Sequence, residues 1–357
     1  MNPDADEAAA ITAAIERVCA VSVTAVSLLS VSLNRTYAIE TASRDEPYIL
    51  RTPIDRESFP GICDLSTEYE LLGRLPAEIQ APKPVAYGTV GAPIDGPFVL
   101  MTYVPGKPIP LGDRLPETFQ NPSARRAIGT ALIDQLATLH TQPTEPFEAL
   151  CDRRSIAEGI TMLRSQCDRI TDERTQGSEQ LQDVGAWLSK HAPTELEIVL
   201  NHGDFRPGNI HFQGTETPEL TGVLDWETPL LGDPRLDLGY LCFRWHEPGD
   251  PTVAPGMIDT QNASDAVREE ITSMTTDGLA PFTRQPGSPT RTALIERYER
   301  QTGTTIEHER FFRVLGGFSL ATVWATLDRS ARKTSGESDW GPYIEWLARF
   351  CVKLTEE

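Results

Sequence analysis

Lysine is scarce in this 357-residue sequence, occurring only at positions 83, 107, 190, 333 and 353. Lysine and arginine together number 32 against 52 aspartates and glutamates, a net charge of −20. A protein that grips nucleic acid needs a basic face to neutralise phosphates, and this balance speaks against such a partner. So acidic a surface is best tolerated where salt screens its self-repulsion, which points to a salt-adapted protein. Long apolar runs are also missing. No stretch reaches the roughly 18 apolar residues of a bilayer-spanning helix. The opening Met1-Asn-Pro-Asp-Ala-Asp-Glu7 is acidic and lacks the basic head of a secretory signal, so a cytoplasmic location is expected. Cysteines stand at 19, 63, 151, 167, 242 and 351 with no C-x-x-C spacing. They read as buried small hydrophobes, not as disulfides or a zinc site.

What is present is a globular composition, 39% hydrophobic and 24% charged, on a chain long enough for two lobes with a core each. The most informative stretch runs from Ile198 to Gln213 and continues through Thr221 to Glu227. Apolar runs at 198–200, 210–212 and 223–226 read as three short strands. Between the first two lies His202-Gly-Asp204, followed after four residues by Asn209. The last two are joined by a turn of Gly, Thr and Pro, so a hairpin is expected with Asn209 at one strand's start and Asp225 near the other's end.

Phosphoryl transfer from ATP needs such a set. One carboxylate orients the attacking hydroxyl and accepts its proton, while an amide oxygen and a second carboxylate hold Mg²⁺ against the phosphates. Asp204 suits the first role, Asn209 and Asp225 the second. Two other readings remain open at this point: metal ligation in a hydrolase by His202, Asp204 and His211, and a plain turn in which Asp204 and Asn209 only shape the backbone.

The spacing H-x-D-x-x-x-x-N is that of a kinase catalytic loop. His202-Gly-Asp-Phe-Arg-Pro-Gly-Asn209 with Val223-Leu-Asp-Trp-Glu227 resembles the aminoglycoside phosphotransferase, or choline-kinase-like, family. The resemblance implies an α+β bilobal kinase-like fold, with a small antiparallel-sheet N-lobe over residues 1–101 and a larger, mainly helical C-lobe over 102–357. It implies ATP- and Mg²⁺-dependent phosphorylation of a small-molecule hydroxyl, with GTP as an alternative donor. A non-catalytic nucleotide-binding relative that regulates a partner is the other outcome it allows.

The remaining family landmarks follow in order. Residues 5–18 carry Ile11, Ile15 and Val18 on one face of an alanine-rich helix. Two strands are expected around Leu29-Ser-Val-Ser-Leu-Asn-Arg35, where the family often places glycines to let backbone approach phosphate. Here there are none. Ser30, Ser32 and Asn34 stand where side-chain donors would substitute, though ordinary strand polarity explains them equally. Arg51, in Tyr48-Ile-Leu-Arg51, occupies the place of the strand-three lysine and offers a permanent forked charge for phosphate. A helix opening with the Ser66 hydroxyl as cap supplies Glu68 as its partner, with Glu70 as the fallback. Pro97-Phe-Val-Leu-Met101-Thr-Tyr-Val104 resembles the hinge, implying adenine contacts at the Thr102 and Val104 backbone behind Met101.

In the C-terminal part, Ser123 to His140 reads as a helix whose final histidine buttresses the catalytic loop. Asp233-Pro234 reads as a helix cap with proline at the first helical position, and Asp237 as support for the same loop. Residues 246–264 read as an insertion or flexible loop. Thr290 to Gly303 carries the pattern R-x-x-L-x-x-R-Y-x-x-x-T-G, which resembles the branch related to the kinase-like part of certain acyl-CoA dehydrogenases. The acceptor pocket is expected from 141–190 and 244–290. Sugar, amino-alcohol, homoserine-like, hydroxyacyl and aminoglycoside acceptors all remain open.

Overall fold

Alternating apolar and polar residues over the first hundred positions produce strands with one buried face, and an alanine-rich helix lies against that face. The computed structural model describes residues 3–31, 34–54, 61–112, 114–195 and 197–356. The chain forms two compact units, Met1–Gly106 with Thr221–Pro229, and Lys107–Leu220 with Leu230–Glu357. The sequence alone suggested one break at 101/102; in the fold the nine residues around Asp225 pack with the first unit.

The first unit begins with α1 (Ala5–Cys19), capped by Asp4. Strands β1 (Val23–Val31), β2 (Asn34–Thr41) and β3 (Arg44–Pro53) follow, then α2 (Leu65–Arg74), β4 (Pro84–Val90) and β5 (Gly96–Thr102). The strands form one antiparallel sheet in the order β1-β2-β3-β5-β4. Ile11 and Ile15 of α1 are fully buried with Tyr37, Ile39, Leu50, Phe98 and Leu100 of the sheet. Each such side chain contributes on the order of 1.5–3 kcal/mol by leaving water. Helix α2 starts at Leu65, one residue before Ser66, and its cap is Asp64, which accepts from the Thr67 amide at 2.7 Å. The expected Ser66 cap is therefore replaced. A carboxylate accepts this bond and also complements the helix dipole. Ser32 lies outside the described residues.

The second unit is helical: α3 (Pro122–His140), α4 (Ile156–Ile170), α5 (Ser178–His191), α6 (Arg235–Arg244), α7 (Asp265–Asp277), α8 (Arg291–Thr302), α9 (Glu309–Ser335) and α10 (Gly341–Glu356). Its short strands are β6 (Val199–Asn201), β7 (Ile210–Gln213) and β9 (Leu230–Gly232). The chain passes into the first unit within β8 (Glu219–Val223), which pairs with β7. β6 pairs antiparallel with β9, a strand too short to announce itself in the sequence. α9 forms the core's axis, burying Phe312, Val314, Phe318 and Ala321. α6 approaches it closely because residue 239 is glycine: a Cβ there would lie 2.3 Å from the Phe312 Cβ. The structure thus has the bilobal kinase-like composition of a five-stranded antiparallel sheet unit and a larger helical unit.

Candidate active site

In the helical unit the catalytic-loop candidate leaves β6 and turns at Gly203, whose φ of 84° suits a residue without a side chain. The loop is held from beneath by Asp237 of α6. Its two carboxylate oxygens accept the backbone amides of His202 at 2.6 Å and Gly203 at 2.9 Å. His202 is fully buried, and its Nδ1 accepts the Asp204 amide at 3.2 Å. Phe205 plugs the core at 0% exposure. The far end is fixed by the Ile109 amide, which donates to the Pro207 carbonyl at 3.1 Å. Lys107 and Phe212 also exchange two backbone bonds of 2.9 Å.

This scaffold presents Asp204 and Asn209 together. Oδ2 of Asp204 accepts from the Asn209 Nδ2 at 2.7 Å and from the Arg206 Nε at 2.9 Å. Asn209 Nδ2 also donates to the Asp204 carbonyl at 3.0 Å. Both neighbours are acceptors, so the amide nitrogen must face Asp204, which turns the amide oxygen away from it. One face of the pair thus offers an amide oxygen, the atom a hard cation takes. Burial would raise the Asp204 pKa, but the charges of Arg206 and Arg244 reverse this and hold it below the ordinary carboxylate range. Arg244, 4% exposed, lies 4.1 Å over the Tyr240 ring and donates to the Tyr240 hydroxyl at 2.8 Å. Arg206 and Arg244 drew no role from the sequence. The arginine inside H-G-D-F-R was the available signal for the first; nothing local marks the second.

Asp233 is not a simple cap. The helix begins at Arg235, whose amide donates to the Asp233 Oδ1 at 2.9 Å, and whose guanidinium meets both carboxylate oxygens at 2.8 and 2.7 Å. Both side chains are essentially buried. His140, at the end of α3, is 5% exposed and lies beside Asp237, as a buttress should. The hydrolase ligands His202, Asp204 and His211 do not assemble: among the described residues no group of three His, Cys, Asp or Glu is arranged to hold a metal.

In the sheet unit, β3 holds Arg51 opposite Thr36 of β2 and Val99 of β5. Its guanidinium is 12% exposed and bonds Glu68 of α2 at 2.5 Å. It also pairs with Glu227, and its Nη2 lies 3.4 Å from the Asp225 Oδ1. Three carboxylates converge on one arginine, so this cluster carries excess negative charge that a cation would relieve. Asp225 was expected near a strand's end. Instead β8 stops at Val223, and Asp225 sits at φ 70°, the left-handed region that aspartate tolerates better than most residues. Its flanks explain how this is held: the Val223 amide donates to the Gln80 carbonyl at 2.6 Å, Trp226 is 1% exposed, and the Cys63 amide donates to the Glu227 carbonyl at 2.7 Å. The Asp225 side chain is 40% exposed, open to a ligand.

Asn34 is the clearest correction. Expected as a phosphate donor, it is 1% exposed and its amide donates to the Glu227 Oε1 at 2.5 Å. It braces the Arg51 cluster from β2. Glu227 was quoted in the sequence motif and given no role; the buried pair with Arg51 supplies one. Ser30 is exposed on β1. Met101 is buried at the end of β5, and the Thr102 amide already donates to the Lys83 carbonyl at 2.9 Å. Val104 is 7% exposed, in contact range of Gly222, where a Cβ would come within 2.5 Å of it.

A family model described as phosphotransferase enzyme family matches residues 25–270. Mouse acyl-CoA dehydrogenase family member 10 is 28% identical over 227 residues, covering 63% of this chain and 21% of that protein. Chicken acyl-CoA dehydrogenase family member 11 is 32% identical over 291 residues, covering 78% and 33%. The chain therefore spans between a fifth and a third of the length of these two relatives. Among solved structures, a Ralstonia eutropha protein of aminoglycoside phosphotransferase type superposes with a TM-score of 0.70 at 22% identity, covering 98% of each chain. A spectinomycin phosphotransferase in complex with ADP and spectinomycin gives 0.58 at 12%, covering 99% of this chain and 100% of that one. These structures share the fold, and with the model match over more than half its length, the chain belongs to the phosphotransferase enzyme family.

Proposed function

We propose that this protein transfers the γ-phosphoryl group of ATP to a hydroxyl of a small molecule. The observation that carries the reading is the Asp204–Asn209 pair: an ionised carboxylate with one oxygen bonded by Arg206 and Asn209, beside an amide oxygen turned outward. The Tyr240 hydroxyl also hydrogen-bonds this carboxylate, and the carboxylate so held would orient the acceptor hydroxyl and take its proton. Because the carboxylate is held below its usual pKa, its main service is orientation, with proton uptake late. That suits a loose phosphoryl-transfer transition state in which the nucleophile needs little activation.

Asn209 and Asp225 are the residues we assign to Mg²⁺, because each carries an oxygen of the kind a hard cation takes; held by them, the ion would neutralise charge on the phosphates. Arg51, kept in place by Glu68 and Glu227, faces the same task with a fixed charge. Met101, Thr102 and Val104 form the adenine edge; since the Thr102 amide is bonded to Lys83, the nucleotide contact there falls to its carbonyl. Ser30 is the remaining side-chain donor of the glycine-free loop. GTP is the alternative donor. The acidic composition argues against nucleic acid as a partner, and among the described residues no helix is long and apolar enough to cross a membrane.

The second reading, a non-catalytic nucleotide-binding regulator, draws support from Asn34: with its amide turned to Glu227, the loop loses a phosphate donor that glycine backbone does not replace. Thermal unfolding with Mg-ATP, Mg-GTP or Zn²⁺ at high salt separates nucleotide binding from metal-only binding, and phosphoryl transfer from the bound nucleotide then separates the kinase from the regulator. Stabilisation by a Mg-nucleotide, growing with its concentration as RT ln(1 + [L]/Kd), supports the proposal. Stabilisation by Zn²⁺ alone would instead favour the hydrolase.

A further inference from the structure

The R-x-x-L-x-x-R-Y-x-x-x-T-G segment lies beyond residues 25–270, which the family model covers, and the proposed chemistry leaves it without a task. Its residues divide cleanly. Thr290 caps α8, accepting the Ala293 amide, and Gly303 ends it at φ 77°. Arg291 bonds both oxygens of Asp250. Leu294 is core at 1% exposure. Arg297 makes a forked pair with Asp134 of α3 at 2.5 and 2.7 Å. Tyr298 remains. Packing does not need its hydroxyl, because phenylalanine would fill the same space.

That hydroxyl sits 2.7 Å from Nδ1 of His140, and the two rings meet edge to face, 5.7 Å apart. Tyr298 is 1% exposed and His140 5%. Nε2 of His140 lies 3.6 Å from Oδ2 of Asp237, just beyond hydrogen-bond reach, and has no hydrogen-bond partner, so its N–H acts on that carboxylate through electrostatics. Asp237 in turn accepts the amides of His202 and Gly203, the two residues before Asp204. With Tyr298 donating to Nδ1, the imidazole proton is fixed on Nε2, the nitrogen that faces Asp237. The other tautomer would aim a lone pair at a buried carboxylate oxygen, which is repulsive.

We infer that Tyr298 is a positioning residue for the catalytic loop, acting through His140 and Asp237 to fix the backbone of residues 202–204. The tyrosine selects the His140 tautomer, the histidine steadies the Asp237 carboxylate, and the carboxylate holds the two amides. The role of Asp204 rests on the function proposed above; the mechanical link does not.

The test therefore uses two readouts on the full chain. Hydrogen exchange of peptides spanning 199–205 reports the loop without reference to activity. Mg-ATP hydrolysis with water as acceptor reports the chemistry. In Tyr298→Phe, exchange at His202 and Gly203 should rise about tenfold, the scale of one lost buried hydrogen bond. The turnover number should fall by a similar factor with the KM for ATP unchanged. His140→Gln should reproduce both effects with Tyr298 intact, which keeps the test open if either variant folds poorly. Asp134→Ala removes the other α3–α8 tie and should leave the 199–205 exchange as in wild type. Wild-type exchange in both Tyr298→Phe and His140→Gln would overturn the inference, as would an equal loosening in Asp134→Ala. Absence of hydrolysis in the wild-type protein would count against the proposed function alone, because the exchange arm still decides the link.

Discussion

At the scale of single residues, the site was legible where chemistry demands a residue type and illegible where geometry assigns a partner. Asp204, Asn209 and Asp225 stand out in the sequence because the base and metal roles proposed for them would need oxygen ligands in a fixed order. Arg51 and Glu68 follow from the strand and helix that carry them, and they do pair. Asn34 misled because polarity on a strand near a phosphate loop looks the same whether the amide faces ligand or core. Only the register of β2 and the arrival of Glu227 from 193 residues away decide it. The metal assignment yields a prediction at this scale. Asp225 carries a full charge and Asn209 a dipole, so Asp225→Ala should abolish Mg²⁺-dependent protection by ATP, whereas Asn209→Ala should weaken it and raise the Mg²⁺ requirement. Titrating Mg²⁺ against ATP-induced stabilisation checks it; the reverse order would displace the metal site from Asp225.

Elements were legible to within a few residues where periodicity was long, as in α1, α3 and α8. They were missed where they are short and defined by long-range pairing, as in β9. The start of α6 shows the same limit. Asp233-Pro234 reads as a cap worth about 1 kcal/mol, but Arg235 folds back onto the same carboxylate in a buried pair, and also donates to the Thr194 carbonyl at 2.7 Å. Asp233→Ala would leave that guanidinium buried without its anion, so the expected loss is about 3–5 kcal/mol, with Mg²⁺ affinity unchanged. Chemical denaturation at constant slope measures it, and a loss near 1 kcal/mol would reduce Asp233 to a cap.

The segment after α6 supplies a pH prediction. Burial lowers the His246 pKa; Asp250 opposes this, while Arg284, Arg291 and Arg313 reinforce it. The unfolded chain thus takes up a proton near pH 6.5, before the folded one does, so this group's stability is present above that pH and lost below it. His246→Gln should flatten the fall of the melting temperature between about pH 6.5 and 5. An unchanged slope would assign the acid sensitivity elsewhere.

For the whole molecule, the charge of −20 is the dominant feature that local structure does not explain. If it reflects adaptation to salt, the melting temperature should rise with KCl between about 0.1 and 2 M, as the Debye length drops well below 10 Å. A flat or falling curve would refute that reading. The bilobal fold itself was legible from family landmarks spread along the chain. The packing of residues 221–229 with the sheet unit was not, because it depends on Gly222 admitting Val104, and on Thr221 donating to the Pro105 carbonyl at 2.5 Å.

The account stands or falls on Asp204. The decisive measurement is phosphoryl transfer from Mg-ATP and Mg-GTP to a panel of sugars, amino alcohols, hydroxy acids and aminoglycosides, in wild type and Asp204→Asn, with nucleotide affinity followed in parallel. The expected result is transfer by the wild type, and a loss of roughly two to four orders of magnitude in the variant at unchanged nucleotide affinity. Near-normal turnover in Asp204→Asn would contradict the mechanism.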